Sequence, residues 1–157
     1  VTLPSHIRTG RRLIAAAAWS TLIVPILVDA VLMPEAHMSN PLWLPHAKLH
    51  TAMSFFGAVG LGVGALLLLR IGDPRDIRQN ALAAFLATAF WIGLIGAGFW
   101  PGTSYAFADD PVAYVAPPVV AGVPVHMNVV LATLSILAGW TGVLLARPAA
   151  PAARAIT

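Results

Sequence analysis

The sequence predicts an all-α integral membrane protein, a four-helix bundle with both termini cytoplasmic. Three observations predict it. Of the 157 residues, 59% are hydrophobic and only 10% are charged, against about 25% charged in soluble domains. Four apolar stretches, at about 13–33, 46–69, 80–100 and 123–145, have the length that a bilayer requires. Eight of the nine Lys and Arg residues lie in the N-terminal tail, the Arg70–Gln79 loop and the C-terminal tail. The positive-inside rule places those segments in the cytoplasm and the other two loops outside. The length suits one domain. With no cysteine there is no disulfide, thiolate metal site or cysteine nucleophile. The basic residues flank apolar stretches and form no basic face, so nucleic acid is not an expected partner.

The first stretch, Leu13 to Met33, follows Arg8, Arg11 and Arg12. It is longer than a secretory h-region and ends in no small-x-small cleavage site, which predicts a retained helix. Pro25 removes one backbone hydrogen bond and should bend it. Asp29 follows four residues later. A carboxylate at that depth is costly in lipid and is expected to face protein or trapped water. In the loop that follows, Glu35, His37 and Asn40 are expected to be solvated, with Trp43 in the interfacial aromatic belt.

Pro45 suits the first turn of the second helix, where its missing N–H costs nothing. His46 and His50 are four apart and share a face. Gly60 and Gly64 form a GxxxG pair, read as a site of close helix packing. The third helix ends in Gly93, Gly96, Gly98, Phe99 and Trp100. The loop from Pro101 to Gly122 is the longest, carries Tyr105, Phe107, Asp109 and Asp110, and is expected to pack over the helix ends as a lid. The fourth helix is expected from about Val123, with His126 and Asn128 in its first turns.

These positions put unusual groups at one depth. Asp29 lies about 6 Å inside the end of the first helix and His50 about 7 Å inside the start of the second, at 1.5 Å per residue. His126 and Asn128 open the fourth helix, and Trp100 closes the third. The coincidence predicts a cavity near the outer face. Asp29, His50 and His126 are expected to meet there as an acid–base group, with Trp43, His46, Trp100, Tyr105 and Asn128 contacting the substrate. No nucleophile elbow, phosphate loop or His-Glu-x-x-His motif is present. The reading is an isomerase or cyclase acting on a small apolar or lipid-like molecule, with no cofactor required. The alternatives are a non-catalytic lipid-binding or accessory membrane subunit, and a haem protein with His46 or His50 as axial ligand. Surfaces rich in Gly and Ala suit a homo-oligomer.

The run His37-Met-Ser-Asn-Pro-Leu-Trp-Leu-Pro-His46-Ala-Lys-Leu-His50, with Pro101-Gly-Thr103, resembles a family of small four-helix bacterial membrane proteins. That resemblance implies four helices and a multi-pass place in the bacterial inner membrane, and no activity. Ile23-Val-Pro-Ile-Leu-Val-Asp29, followed by Pro34, is similar to the first helix of the emopamil-binding and sigma-2 receptor superfamily. It implies a sterol-like ligand with Asp29 as the pocket acid. Trp43 and His46 before a helix also resemble the membrane styrene oxide isomerases, four-helix trimers that bind haem b through a histidine. This implies an epoxide isomerase-like reading with His46 as the ligand.

The absence of cysteine makes the topology directly testable. A single Ser104→Cys substitution is expected to react with a membrane-impermeant maleimide added outside intact cells. Labelling only after the cytoplasm is opened would reverse the orientation.

Overall fold

The computed structural model describes residues 2–106, 111–112 and 116–148; Phe107, Asp109, Asp110 and the tail from 149 onward lie outside the described residues. Four helices make the architecture: α1 (Ser5–Ile26), α2 (Pro45–Ile71), α3 (Ile77–Ala97) and α4 (Met127–Leu145). Each is long and apolar enough to cross a membrane, α1 together with the turn that continues it to Leu32. α1 packs against the other three helices, and α3 against α2 and α4. α2 and α4 stand on opposite sides and do not approach each other among the described residues.

Small residues set the tightest packing. A Cβ on Gly10 of α1 would overlap the carbonyl oxygen of Gly142 in α4. One on Gly142 would stand 2.7 Å from Ile14 Cγ1. On the other flank of α1, a Cβ on Gly62 of α2 would come within 2.7 Å of Leu22 Cβ and 2.9 Å of the Ala18 carbonyl oxygen. The buried core between them is mostly alanine, with Ala17, Ala18, Ala65, Ala83, Ala84 and Ala87 around Ile14 and Val143. Helix backbones approach closely where side chains stop at Cβ, and dispersion then acts between whole chain segments. The expected GxxxG contact is not the one used. Gly60 faces open space and Gly64 makes only an ordinary contact with Leu86, whereas Gly62 turns inward.

A polar clamp closes the same end of the bundle. Arg11 Nη1 donates to Asn80 Oδ1 at 2.9 Å and its Nη2 donates to the Leu69 carbonyl. Asn80 is fully buried and donates through Nδ2 to the Pro74 carbonyl at 3.0 Å. Asp76 caps α3, accepting from the backbone N–H of Arg78 at 2.8 Å, which satisfies a donor that a helix start leaves open. Arg8, Arg11, Arg12, Arg70, Arg75, Arg78 and Arg147 all stand at this end of the helices.

Three local features differ from expectation at the opposite end. α1 does not simply bend at Pro25: a π-helical turn, Leu27–Leu32, continues it, and the Met33 N–H donates to the Val28 carbonyl at 2.8 Å. The loop after it is not solvated throughout. A 3₁₀ turn at Pro34–Ala36 folds it back, Asn40 is fully buried, and its Oδ1 accepts from the Leu42 N–H at 2.8 Å. Helix four starts at Met127 instead of Val123, because β1 (Val119–Val120) and β2 (Val123–Pro124) form a two-residue antiparallel hairpin. Its turn places Ala121 at φ 51° and Gly122 at φ 80°. Both are left-handed, the geometry that matches the twist of tight hairpins.

The small-residue contacts predict an asymmetry between glycines. Gly142→Leu is expected to lower stability by about 1–3 kcal/mol or more, as overpacking does, while Gly60→Leu should change it little. Thermal unfolding of both variants in one detergent checks this; equal losses would remove the distinction.

Candidate functional site

The cavity lies at the end of the bundle away from the arginines, has a volume of about 320 Å³, and is walled by α1 with its π-helical turn, by α3, by the start of α4, and by the segments around Tyr105 and Pro117. Most of the wall is apolar, through Val24, Val28, Phe90, Leu94 and Leu131. Its polar side chains are few: Asp29, His37, Tyr105, His126 and Asn128, while Trp91 lines the wall with its indole N–H buried. A mostly apolar concavity with a few converging polar groups is the usual form of a small-molecule site.

Asp29 reaches the cavity through the π-helical turn. Pro25 offers no N–H to the preceding turn, and the wider five-residue hydrogen bond to Val28 then carries the chain to Met33. π-turns inside α-helices recur at functional sites because they re-aim side chains. The Asp29 side chain is 28% exposed, and its Oδ1 lies 3.6 Å from Nε2 of His37, which is 15% exposed. That separation is an ion-pair distance, longer than a hydrogen bond. On the other side of the ring, His37 Nδ1 lies 3.2 Å from the Met33 carbonyl oxygen. A carbonyl only accepts, so Nδ1 carries a proton there. Nε2 is then the atom that gains or loses the second proton, and it faces the carboxylate. Trp43 stands edge-on to the same imidazole, with centroids 5.8 Å apart at 80°.

Across the cavity, His126 is the residue before the first turn of α4, with φ −87° and ψ 112°. Its ring lies 5.9 Å from that of Tyr105, tilted by 43°. Tyr105 is pinned from three directions. Its hydroxyl donates to the Ile95 carbonyl at 2.6 Å. Its own carbonyl accepts from Asn128 Nδ2 at 3.2 Å. Its ring fills the place that a side chain at Gly98 would take. The tyrosine therefore offers the cavity its ring, its hydroxyl being engaged elsewhere, and Asn128 holds the loop against α4.

The structure thus brings together Asp29, His126, Tyr105 and Asn128, and leaves four expected site residues outside. His50 is not on the cavity wall. It sits on an exposed face of α2, where its Nε2 lies 3.0 Å from Nε2 of His46. Its depth was legible, but α2 takes no part in the cavity, and no residue of that helix before Ala58 is buried. Trp43 touches the site through His37 only, and Trp100 is 75% exposed beyond the end of α3. Haem b on His46 or His50 does not fit a single chain. Both rings flank a shallow depression formed by residues of one segment, between Leu42 and Thr51, so among the described residues none from another element faces a second side of a macrocycle.

Two wall residues escaped the sequence reading. His37 follows Asp29 by eight residues, across a π-turn and a 3₁₀ turn whose reversal no helical or strand period announces. Trp91 is 2% exposed and its indole N–H is buried with no acceptor among the described residues. Its position on a uniformly apolar helix resembles that of any core aromatic. The chain matches no protein-family model, no curated protein and no solved structure.

Proposed function

We propose that the protein is a multi-pass enzyme of the bacterial inner membrane that isomerises or cyclises a small apolar, lipid-like molecule in this cavity. One observation carries the reading: an Asp–His pair stands on the wall of a predominantly apolar cavity, with a second histidine across it. Ionisable groups at such depth are costly unless used. An isomerisation moves a proton from one atom of the substrate to another and needs no outside oxidant or reductant. The Asp29–His37 pair, fixed at Nδ1 of the ring by the Met33 carbonyl, is the candidate to take or give that proton. His126 is the candidate partner for the opposite transfer. Bound substrate displaces water, which strengthens both interactions. The arginine-rich end lies on the cytoplasmic side in this reading, and the cavity lies towards the outer face.

The proposed proton shift and the apolar wall together define the substrate class: a hydrocarbon frame bearing a carbonyl, ether, epoxide or hydroxyl oxygen that the Asp–His pair can address. The predominantly apolar wall also suits a lipid-binding protein without catalysis. The two readings part on the consequences of Asp29→Asn.

Proton transfer is followed by solvent deuterium entering oxygenated alkenes, ketones and epoxides incubated with detergent-solubilised protein in D₂O. Incorporation is expected, and Asp29→Asn or His37→Ala should reduce it by about 10²-fold or more, the usual scale of a lost acid–base group. His50→Ala should leave it unchanged. If the probes bind but are not converted, or Asp29→Asn leaves the rate of conversion undiminished, the acid–base reading fails and binding alone remains.

A further inference from the structure

We propose that His46 and His50 form a two-point site for a late first-row divalent metal ion, Cu²⁺, Ni²⁺ or Zn²⁺, on the face of α2 outside the cavity. The two imidazoles are one helical turn apart, and their Nε2 atoms lie 3.0 Å from each other. The ring centroids are 4.5 Å apart and the planes are nearly perpendicular, at 88°. Two nitrogens bound about 2.0–2.1 Å from a common ion at right angles lie about 2.9 Å apart, and in a tetrahedral site about 3.3 Å. The pair therefore stands at chelating separation with little change of rotamer.

The donor set selects the ion. Among the described residues the other polar side chains of the depression are Trp43, whose indole N–H donates only and cannot ligate, and Thr51, a neutral hydroxyl that donates to the Ala47 carbonyl at 3.2 Å. Two imidazole nitrogens without carboxylate oxygens suit Cu²⁺, Ni²⁺ and Zn²⁺, whereas Mg²⁺ and Ca²⁺ require oxygen. The Irving–Williams order places Cu²⁺ first. No cluster of three or more His, Cys, Asp or Glu residues that could hold a metal occurs among the described residues, so the ion keeps open positions for water or for another molecule. Without metal, one Nε2–H donates to the other ring. Binding both nitrogens asks the donor ring to carry its proton on Nδ1 instead, so neutral rings lose none. Both side chains lie on the outside of the chain, so their replacement leaves the core unchanged. The site is independent of the reaction proposed for the cavity.

The test is titration of the untagged full-length chain in detergent with CuCl₂ and with ZnCl₂, followed by calorimetry and, for copper, by electron paramagnetic resonance. One ion per chain is expected, with nitrogen hyperfine structure from at least two imidazoles. His46→Ala and His50→Ala should each weaken binding at least tenfold, and His6→Ala, in the N-terminal turn, should not. Absence of binding up to millimolar Cu²⁺, or affinity unchanged in both single variants, would overturn the site. Unfolding temperatures measured alongside separate loss of ligand from loss of fold.

Discussion

The close contact of α1 with α4, backbone to backbone at Gly10 and Gly142, is the constraint on which the rest of the molecule depends. With no side chain between them the two helices are held at one end, and the alanine core extends that closeness to α2 and α3. The Arg11–Asn80 clamp lies at the same end and ties α1 to the start of α3. At the other end, among the described residues, no glycine-to-glycine contact or arginine clamp joins the helices, and α3 and α4 are linked through Tyr105. There the facing side chains are large, Trp91, Phe90 and Leu94 among them, and the space between the helices remains as a cavity. Tight packing and open volume thus have one origin, the placement of small residues towards the arginine end and bulky ones away from it.

The cavity acquires its chemistry from a break in regularity. A straight α1 would continue its four-residue spacing past Pro25 and carry Asp29 on a different azimuth. The π-turn adds a residue to that spacing, and the 3₁₀ turn after it returns the chain so that His37 meets the carboxylate. The partner of the acid comes from the loop and not from a neighbouring helix. Their relative position therefore depends on a short, local piece of chain, while His126 depends on how α4 is seated. An acid–base pair built on one segment and a counterpart on another allow the two halves of a proton shift to be supported separately.

Much of this was legible in the sequence, and the limits have definite causes. Helix number followed from apolar length alone, the convergence of Asp29, His126 and Asn128 from where each lay relative to a helix end, and that of Tyr105 from a loop expected to pack over those ends. Depth is a one-dimensional quantity, however, and it says nothing of azimuth or of which helices touch. His50 has the right depth on the wrong helix, since α2 contributes no wall. The GxxxG pair failed for a similar reason: Gly62, two residues from each of its members, has the inward azimuth. Loop polarity predicts solvation for His37 and Asn40, whereas the folded-back loop buries Asn40 and partly buries His37. The hairpin at Ala121–Gly122 carries only two paired residues on each side, too few to produce an alternating pattern.

The length of α2 has a consequence of its own. Its 27 residues extend about 40 Å at 1.5 Å per residue, against roughly 30 Å for the hydrocarbon layer of a bilayer. In the membrane setting proposed above, some 10 Å of this helix must tilt or project. Arg70 holds one end at a headgroup surface, so the excess falls at the end bearing His46 and His50. Hydration of the imidazole pair then becomes a function of hydrophobic mismatch: a thin bilayer leaves both rings in water, and a thick one draws them towards the acyl chains.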